Sequence, residues 1–301
     1  MHQKMNSKTK NKYANNLYMF LAPFKRVKGS SKKATHTSIA NPKGSWVVPE
    51  EKLPEFHDLY YKTVFLEKQK VYLTESPEEI SCIKVDIDLR WISNTGERIY
   101  TIDHIKGLVQ LYSKELNKYF VLDENEKQVF VFEKDSPRFS EKVKIKDGWV
   151  KTDQDFHQYY HPQKDIYEDD PDADEDIEQQ IWKDGIHLLF PFINVRMQLE
   201  KRIREGVLKN ISSVLGDIKL ENSMSDVLDL AVIGRNNWQM YGSRKPACEA
   251  YKLTHLFKID SFNCLELSVN KYSDRQLVDI LSLKNRYEPT LIREKFKKEI
   301  D

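Results

Sequence analysis

Residues 83–89 alternate strictly between apolar and charged side chains, and this pattern constrains the fold more than any other in the sequence. A period of two residues is that of a β-strand, in which residues i and i+2 point to the same face. The pattern predicts a strand with Val85, Ile87 and Leu89 in the core and with Asp86 and Asp88 side by side on the other face.

Two adjacent carboxylates repel each other, and each loses hydration free energy when it is buried. A divalent cation removes the repulsion, and Mg²⁺ in particular prefers carboxylate oxygens. Asp86 and Asp88 are therefore candidate metal ligands. Taken alone, an Asp-x-Asp pair is more often the solvated face of an edge strand.

The chain has 301 residues, 40% of them hydrophobic, which indicates a globular protein of one large domain or two small ones. No apolar run approaches the ~20 residues of a membrane span. The basic N-terminus lacks the apolar stretch of a secretory signal. Cys82, Cys248 and Cys264 are too few and too widely spaced for a disulfide framework. We therefore expect a protein that is not secreted and has no membrane partner.

Basic residues are concentrated at the N-terminus, where residues 1–49 hold ten Lys or Arg and no Asp or Glu. Residues 1–34 are predicted to form a basic arm that pairs with phosphates or only keeps the chain in solution. The alternative is a partly folded arm, because it contains an apolar cluster that could dock on the core: Leu17, Tyr18, Phe20, Leu21 and Phe24.

Nine of the fourteen residues 165–178 are acidic, and they end a segment, 134–180, that is predicted to be irregular. An EF-hand calcium loop beginning at Asp170 would need Gly at position 175 and Glu at position 181, where Glu175 and Ile181 stand. The stretch is therefore predicted to be a solvated surface insertion.

The remaining periodicity indicates both helices and strands. Helical spacing is found at 53–64, 102–119, 195–211 and after Ser273, which forms a candidate capping box with Gln276. Strand patterns are found at 71–73, 83–89, 129–132, 187–192, 238–241 and 253–259, the fourth of which is expected to end at Pro191. The predicted fold class is α/β or α+β, since the elements alternate without one regular period.

Two further segments carry polar groups suited to phosphate binding. In Lys183-Asp184-Gly185-Ile186-His187, the glycine permits close approach and the imidazole can donate a hydrogen bond to a phosphate oxygen. Asp229 offers a third carboxylate, and a run of donors follows it: Arg235, Asn237, Ser243, Arg244 and Lys245. Taken singly, the first segment is also typical of a structural histidine at a strand edge, and the second of a charged hairpin turn.

In this order, the carboxylate pair, the Gly-x-His and the third Asp before a basic turn resemble the motifs of the archaeo-eukaryotic primase superfamily. Within it, the chain is similar to the N-terminal primase domain of the primase–helicases of nucleocytoplasmic large DNA viruses. The similarity covers about residues 35–290 and extends to these segments: Thr35-His36-Thr37-Ser38-Ile39, Phe56-His57-Asp58-Leu59-Tyr60-Tyr61, Leu73-Thr74-Glu75 and 237–246.

The resemblance implies a catalytic fold with an RRM-like mixed sheet and flanking helices, spanning residues 35–265. Residues 266–301 would be a helical segment, a possible linker to a helicase. The implied partners are a single-stranded DNA template, nucleoside triphosphates and a helicase domain or subunit. The implied location is intracellular, in the host cytoplasm or the nucleus.

The resemblance also implies template-directed nucleotidyl transfer with two metal ions, Mg²⁺ or Mn²⁺. Asp86 and Asp88 would bridge the metals, and Asp229 would complete the side of the attacking oxygen. The expected nucleotide contacts are His187 and Lys245, then Asn237 and Ser243, with Arg90 and Arg235 on nucleotide or template.

The sequence departs from the superfamily at Gly185, where many members carry a serine, so that a hydroxyl contact to phosphate is lost. We expect Lys183 and the Gly185 N–H to take its place. No zinc is expected, because Cys248, His255 and Cys264 lack the close cysteine pair of a zinc ribbon. The glycine-rich loop of P-loop NTPases is also absent from the sequence.

Two alternatives remain open. A metal-dependent nuclease could use the same three carboxylates, and it would cleave nucleic acid without any triphosphate. A non-catalytic DNA-binding or helicase-loading module would merely expose the Asp pair, and it would bind DNA equally well with EDTA present.

Overall fold

The computed structural model describes residues 12–146, 150–151, 159–161, 166–168, 176–260, 263–284, 286 and 288–296. The α-helices are α1 (Lys12–Leu21), α2 (Leu53–Tyr61), α3 (Ile102–Tyr119), α4 (Met197–Leu208), α5 (Ser212–Leu215), α6 (Met224–Val227) and α7 (Asp274–Ile280). Short 3-10 turns lie at Ala22–Phe24, Glu50–Lys52, Leu230–Ile233 and Val269–Lys271, and a π-helical turn, Lys62–Leu66, extends α2.

The strands are β1 (His36–Ser38), β2 (Gly44–Trp46), β3 (Leu73–Glu75), β4 (Ile80–Ile92), β5 (Gln128–Glu133), β6 (Arg138–Lys146), β7 (Val150–Lys151), β8 (Tyr159–His161), β9 (Ile166–Glu168), β10 (Asp176–Arg196), β11 (Trp238–Gln239), β12 (Lys252–Ile259) and β13 (Cys264–Leu267). The main sheet has the order β13-β12-β5-β10-β4, and β6 also pairs with β10. A smaller sheet has the order β11-β3-β1-β2, and a third joins β7, β8 and β9.

All strand pairs of the described residues are antiparallel, so this part of the chain has no parallel pair of the kind that a mixed sheet implies. The reason lies in the order of the strands. β4 and β5 run in the same direction, but β10 lies between them and runs opposite to both. The fold class itself, helices with antiparallel sheets, is the α+β class that was predicted.

The apolar face of β4 forms the main core, as the alternation predicted. Val85, Ile87 and Leu89 are buried with the apolar faces of α3 and α4. Glu200 fixes α4 to the strand by accepting hydrogen bonds from the Lys84 backbone N–H (3.0 Å) and ammonium group (3.2 Å). Because α3 and α4 cover this face, the carboxylates of β4 lie on the opposite face.

The N-terminal segment is partly folded. Leu17 and Leu21, one helical turn apart on α1, are fully buried in a second core with α2 and the smaller sheet. This packing corresponds to the docked alternative rather than to an arm that is free along all of residues 1–34. Residues 1–11 lie outside the described part of the chain.

The C-terminal segment is also part of the folded unit. The capping box of Ser273 and Gln276 at the start of α7 is confirmed. Leu277, Leu281 and Leu283 are buried in a third core with Phe130 of β5 and Leu189 of β10. Residues 274–283, part of the predicted helical segment 266–301, are therefore packed against the domain.

The prediction of an irregular segment at 134–180 was wrong where the structure describes it. Strand β6 pairs with the first half of β10 in a long ribbon. β10 also continues past Pro191, because the register with β4 shifts between Phe190 and Asn194 and the missing proline N–H falls in that bulge. The EF-hand test at Asp170 and most of the acidic insertion lie outside the described residues. Among the described helices, none is long and apolar enough to cross a membrane.

Candidate active site

The register of β4 and β10 brings the first two motifs together on the face of the main sheet that is opposite to α3 and α4. His187 lies opposite Asp86, and Gly185 lies opposite Asp88. On the other side of β10, Phe132 of β5 lies opposite His187. The two motifs, about a hundred residues apart in the sequence, thus pair residue by residue in two neighbouring rows: His187 with Asp86, and Gly185 with Asp88.

Asp86 and His187 are in direct contact, with the imidazole Nε2 3.4 Å from the carboxylate Oδ1. Burial alone would raise the pKa of Asp86, but His187, followed by Lys245 and Lys134, lowers it overall. Burial, followed by the charge of Asp86, raises the pKa of Asp88. The two carboxylates therefore differ in electrostatic environment although they share one strand face.

The outer edge of β4 is covered by residues 221–229. The Asp229 N–H donates to the Asp86 carbonyl (3.0 Å), and the Asn222 side-chain amide donates to the Asp88 carbonyl (2.8 Å). Arg204 of α4 holds this segment by donating to the Leu228 carbonyl (2.8 Å). Asp229 is thereby placed beside Asp86, and its charge contributes to raising the pKa of Asp88.

The side chain of Asp229 already has a structural role. Its Oδ1 accepts a hydrogen bond from the Ala231 N–H (2.8 Å) and caps the 3-10 turn that follows. Within the described residues, no three His, Cys, Asp or Glu side chains are grouped so that they could hold a metal ion. The three carboxylates are therefore neighbours without being a preassembled triad.

Asp86 and Asp88 nevertheless fit a divalent cation by their chemistry. The buried Asp86 Oδ1 forms no hydrogen bond of good geometry among the described residues, although the His187 Nε2 lies 3.4 Å away, and such an acceptor calls for a cation or a better donor. Adjacent carboxylates at the surface of a sheet provide the hard oxygen ligands that Mg²⁺ and Mn²⁺ prefer. Asp229 would join them through Oδ2, or through Oδ1 by releasing its capping bond.

Aromatic rings fix the imidazole of His187. The Tyr251 ring stacks on it with centroids 3.6 Å apart, and the Trp238 ring lies 4.4 Å away. Lys134 places its ammonium 4.5 Å from the Tyr251 ring centroid. Tyr251 and Lys134 were not among the predicted site residues, because no local pattern marks them. Only the pairing of β5 with β10 and β12 brings them to the site.

Gly185 has no free N–H for a ligand, contrary to the expected role. Its N–H donates to Oδ1 of the preceding Asp184 (2.8 Å), whose other oxygen is bound by Arg98 (2.8 Å). The space beside its Cα is also filled, because a Cβ built there would lie 2.4 Å from the Tyr251 hydroxyl oxygen. The glycine is thus required by the approach of a tyrosine.

Three cations form the next row on the same face. Lys183 of β10 lies opposite Arg90 of β4 on one side and opposite Arg138 of β6 on the other. Burial, followed by the charge of Arg90, lowers the pKa of Lys183, and Arg138 adds to this effect. We call Arg90, Lys183 and Arg138 the cation row. It lies two residues along the strands from Asp88 and Gly185.

The predicted donors of the third motif are dispersed. Lys245 is exposed and close enough to lower the pKa of both Asp86 and Asp88. Ser243 is buried, and its hydroxyl donates to the Val71 carbonyl (3.0 Å).

Two other predicted donors have different surroundings. Asn237 donates to the Thr37 hydroxyl (2.8 Å) at the smaller sheet. Arg235 is exposed and lines an open cleft with Asp229. Of the donors in this motif, Lys245 alone is shown by its charge effect to lie near both Asp86 and Asp88.

Comparison with known proteins places this chain in a family. The sequence matches the C962R protein N-terminal AEP domain over residues 35–160 and 150–257. It is 26% identical over 259 residues to a protein of Acanthamoeba polyphaga mimivirus named as a helicase, L207/L206, covering 84% of this chain. It is also 26% identical over 271 residues to a protein of Invertebrate iridescent virus 6 named as a helicase, 184R, covering 85% of this chain.

These alignments account for only 23% and 24% of the two viral proteins, so the chain corresponds to about a quarter of each. The family match covers well over half of the chain and includes both strands of the Asp86–His187 pair, the Asp229 segment and Tyr251. The chain therefore belongs to the family of the C962R protein N-terminal AEP domain, which is of the archaeo-eukaryotic primase type.

Proposed function

We propose that this chain is a DNA primase or primase–polymerase domain that performs template-directed nucleotidyl transfer with two metal ions. One observation carries the proposal: Asp86 and His187 face each other across paired strands, with Asp88 in the adjacent row, in a chain of the primase type. A carboxylate pair beside a phosphate-binding donor is what the transfer of a nucleotide to a hydroxyl requires.

Asp86 and Asp88 would hold Mg²⁺ or Mn²⁺, with Asp229 as the third ligand through Oδ2, or through Oδ1 after it leaves the Ala231 N–H. The bound metal ions supply charge neutralisation at the attacking 3′-oxygen and at the leaving pyrophosphate. Asp229 needs only a side-chain rotation to take part, because its backbone is already tied to the Asp86 carbonyl.

His187 would bind the triphosphate. Its ring is held in place by contacts with Tyr251 and Trp238, so little rotational entropy is lost when it donates to a phosphate oxygen. Lys245 would add a flexible positive charge from the exposed turn. Ser243, Asn237 and Arg235 stay weaker candidates, since the first two are engaged in bonds within the protein.

The cation row would contact the phosphates of single-stranded DNA. Arg90, Lys183 and Arg138 present three positive charges in a line across three strands, on the face that carries the carboxylates. Like charges directly opposite each other destabilise a sheet, and an anionic strand relieves that repulsion. Both viral relatives are named as helicases and are about four times longer than the matched region. We therefore infer a helicase domain or subunit as partner.

A primer-synthesis assay on single-stranded DNA, with labelled nucleotides and Mn²⁺ or Mg²⁺, tests the proposal. A primase incorporates nucleotides only with metal, triphosphate and template together. A nuclease would instead shorten the DNA without triphosphate. A non-catalytic module would bind the DNA equally well with EDTA and incorporate nothing.

A further inference from the structure

The hydroxyl of Tyr251 lies in the site at the place where residue 185 has no side chain. Tyr251 directly precedes β12, and its ring reaches over β5 to lie on His187, with the ring centroids 3.6 Å apart. Its hydroxyl oxygen lies 2.4 Å from the position that a Cβ on Gly185 would occupy. Gly185 in turn lies opposite Asp88, so the hydroxyl lies in the row of Gly185 and Asp88, next to the row of His187 and Asp86.

This hydroxyl is a hydrogen-bond donor without a protein acceptor among the described residues. A tyrosine hydroxyl carries its proton at neutral pH, so it can donate a hydrogen bond. The Lys134 ammonium lies 4.5 Å from the ring centroid and adds positive charge on this side of the site. A neutral donor beside a cation and a histidine suits an anionic oxygen.

The arrangement also explains why residue 185 is glycine. A serine there would place its Cβ in contact with the tyrosine hydroxyl, so position 185 and Tyr251 cannot both carry a hydroxyl into the same space. Position 185 has no hydroxyl of its own. The hydroxyl of Tyr251, 66 positions further along the chain, occupies that space.

On the basis of the proposed function, we infer that Tyr251 is a nucleotide-binding residue whose hydroxyl donates to a phosphate oxygen of the incoming nucleoside triphosphate. Its ring positions His187 for a second bond to the same triphosphate. A hydrogen bond to a charged group contributes about 1.5–3 kcal/mol, which corresponds to a change of roughly tenfold to a hundredfold in affinity.

A series of variants that moves the hydroxyl from position 251 to position 185 tests the inference. Tyr251→Phe keeps the stacked ring and removes only the hydroxyl, so the apparent KM for nucleotide should rise about tenfold or more at unchanged thermal stability. Adding Gly185→Ser to that variant restores a hydroxyl in the space that the phenylalanine leaves, and it should recover most of the loss. Gly185→Ser alone should be impaired by the contact with Tyr251. The matched control is Tyr112→Phe, which removes a buried hydroxyl behind the sheet on α3.

Direct binding of a fluorescent nucleoside triphosphate with Mg²⁺, measured beside incorporation, separates this inference from the proposed function. An active wild type whose Tyr251→Phe variant keeps its KM and nucleotide affinity within about twofold would overturn the role of Tyr251 alone. Loss of affinity in Tyr251→Phe with an inactive wild type would support the binding role and reject the primase. A wild type that neither binds nor incorporates nucleotides would overturn both.

Discussion

His187 and Asp86 face each other directly across β10 and β4, with the imidazole Nε2 3.4 Å from the carboxylate Oδ1. The histidine of the second motif and the first carboxylate of the first motif both lie within paired strands, and neither lies in a loop. Because both residues lie within regular strands, the backbone fixes their separation, and their contribution can be tested by changing side chains alone.

His187→Ala is expected to raise the apparent KM for nucleotide and to lower kcat, with a loss in kcat/KM of roughly tenfold to a hundredfold. A phosphate contact that strengthens as charge develops affects both constants. The matched control is His255→Ala on β12, whose ring bonds to Glu266 (2.8 Å) and should leave the kinetics unchanged. If His187→Ala lowers only the thermal stability and the kinetics stay normal, His187 is a structural histidine.

The cation row predicts a salt-dependent DNA affinity. Arg138→Ala, Lys183→Ala and Arg90→Ala should each weaken binding to single-stranded DNA at low salt. Each should also reduce the slope of log affinity against log salt by about 0.7 if one phosphate contact is lost. Lys114→Ala, on α3 behind the sheet, is the matched control. Slopes identical to that of the wild type in all three variants would exclude this row as the DNA-binding surface.

Glu75 predicts a pH-dependent stability. Burial alone would raise its pKa, but His36 and the Leu283 N–H (2.7 Å), with the Ser282 hydroxyl (2.6 Å), lower it to about 2. A lowered carboxyl pKa contributes stability above the unfolded value of about 4.3, and this stability is lost as the pH falls toward 2.

Glu75→Gln should therefore lower the free energy of unfolding at pH 7 by about 3 kcal/mol, and by much less near pH 2. Urea unfolding at both pH values measures the difference. Glu97→Gln, at an exposed carboxylate, is the control and should show little change at either pH. A deficit in Glu75→Gln that is equal at both pH values would mean that the carboxylate charge does not stabilise the fold.

The docking of α1 predicts a sharp contrast between two of its residues. Leu17 is fully buried and Met19 is 71% exposed. Leu17→Ala should cost about 2–5 kcal/mol of unfolding free energy, and Met19→Ala about 0.5 kcal/mol or less. Deleting residues 1–33 should accordingly impair folding rather than only weaken DNA binding at low salt. Equal stability of the two alanine variants would indicate an undocked helix.

Local periodicity was sufficient for the strand that carries the first motif and for a helix that packs on it. The alternation at 83–89 predicted which face of β4 would bear Asp86 and Asp88, and the helical spacing at 102–119 matches α3. Such patterns depend on near neighbours in the chain, so they can be recognised before the tertiary fold is known. The resemblance to the primase superfamily, confirmed by the family match, supplied the connection between the motifs.

The contacts that complete the candidate site depend on strand register and could not be predicted locally. Tyr251, Lys134 and Arg138 reach it only because β5, β6 and β12 pair in one sheet with β10 or its neighbours. The occupied N–H of Gly185 and the capping role of Asp229 are hydrogen bonds that a sequence pattern does not reveal. Register is set by the packing of the whole sheet.

The most direct test of a two-metal primase compares the wild type with Asp86→Asn/Asp88→Asn in primer synthesis on single-stranded DNA with Mg²⁺ or Mn²⁺. Replacing the carboxylates removes cation ligands and relieves their repulsion, so the fold should keep its thermal stability. The matched control is Asp103→Asn, an exposed first-turn residue of α3. We predict metal-dependent primers from the wild type and the control, and a loss of about a hundredfold or more in the double variant. Primer synthesis at the wild-type rate by the folded double variant would contradict the assignment.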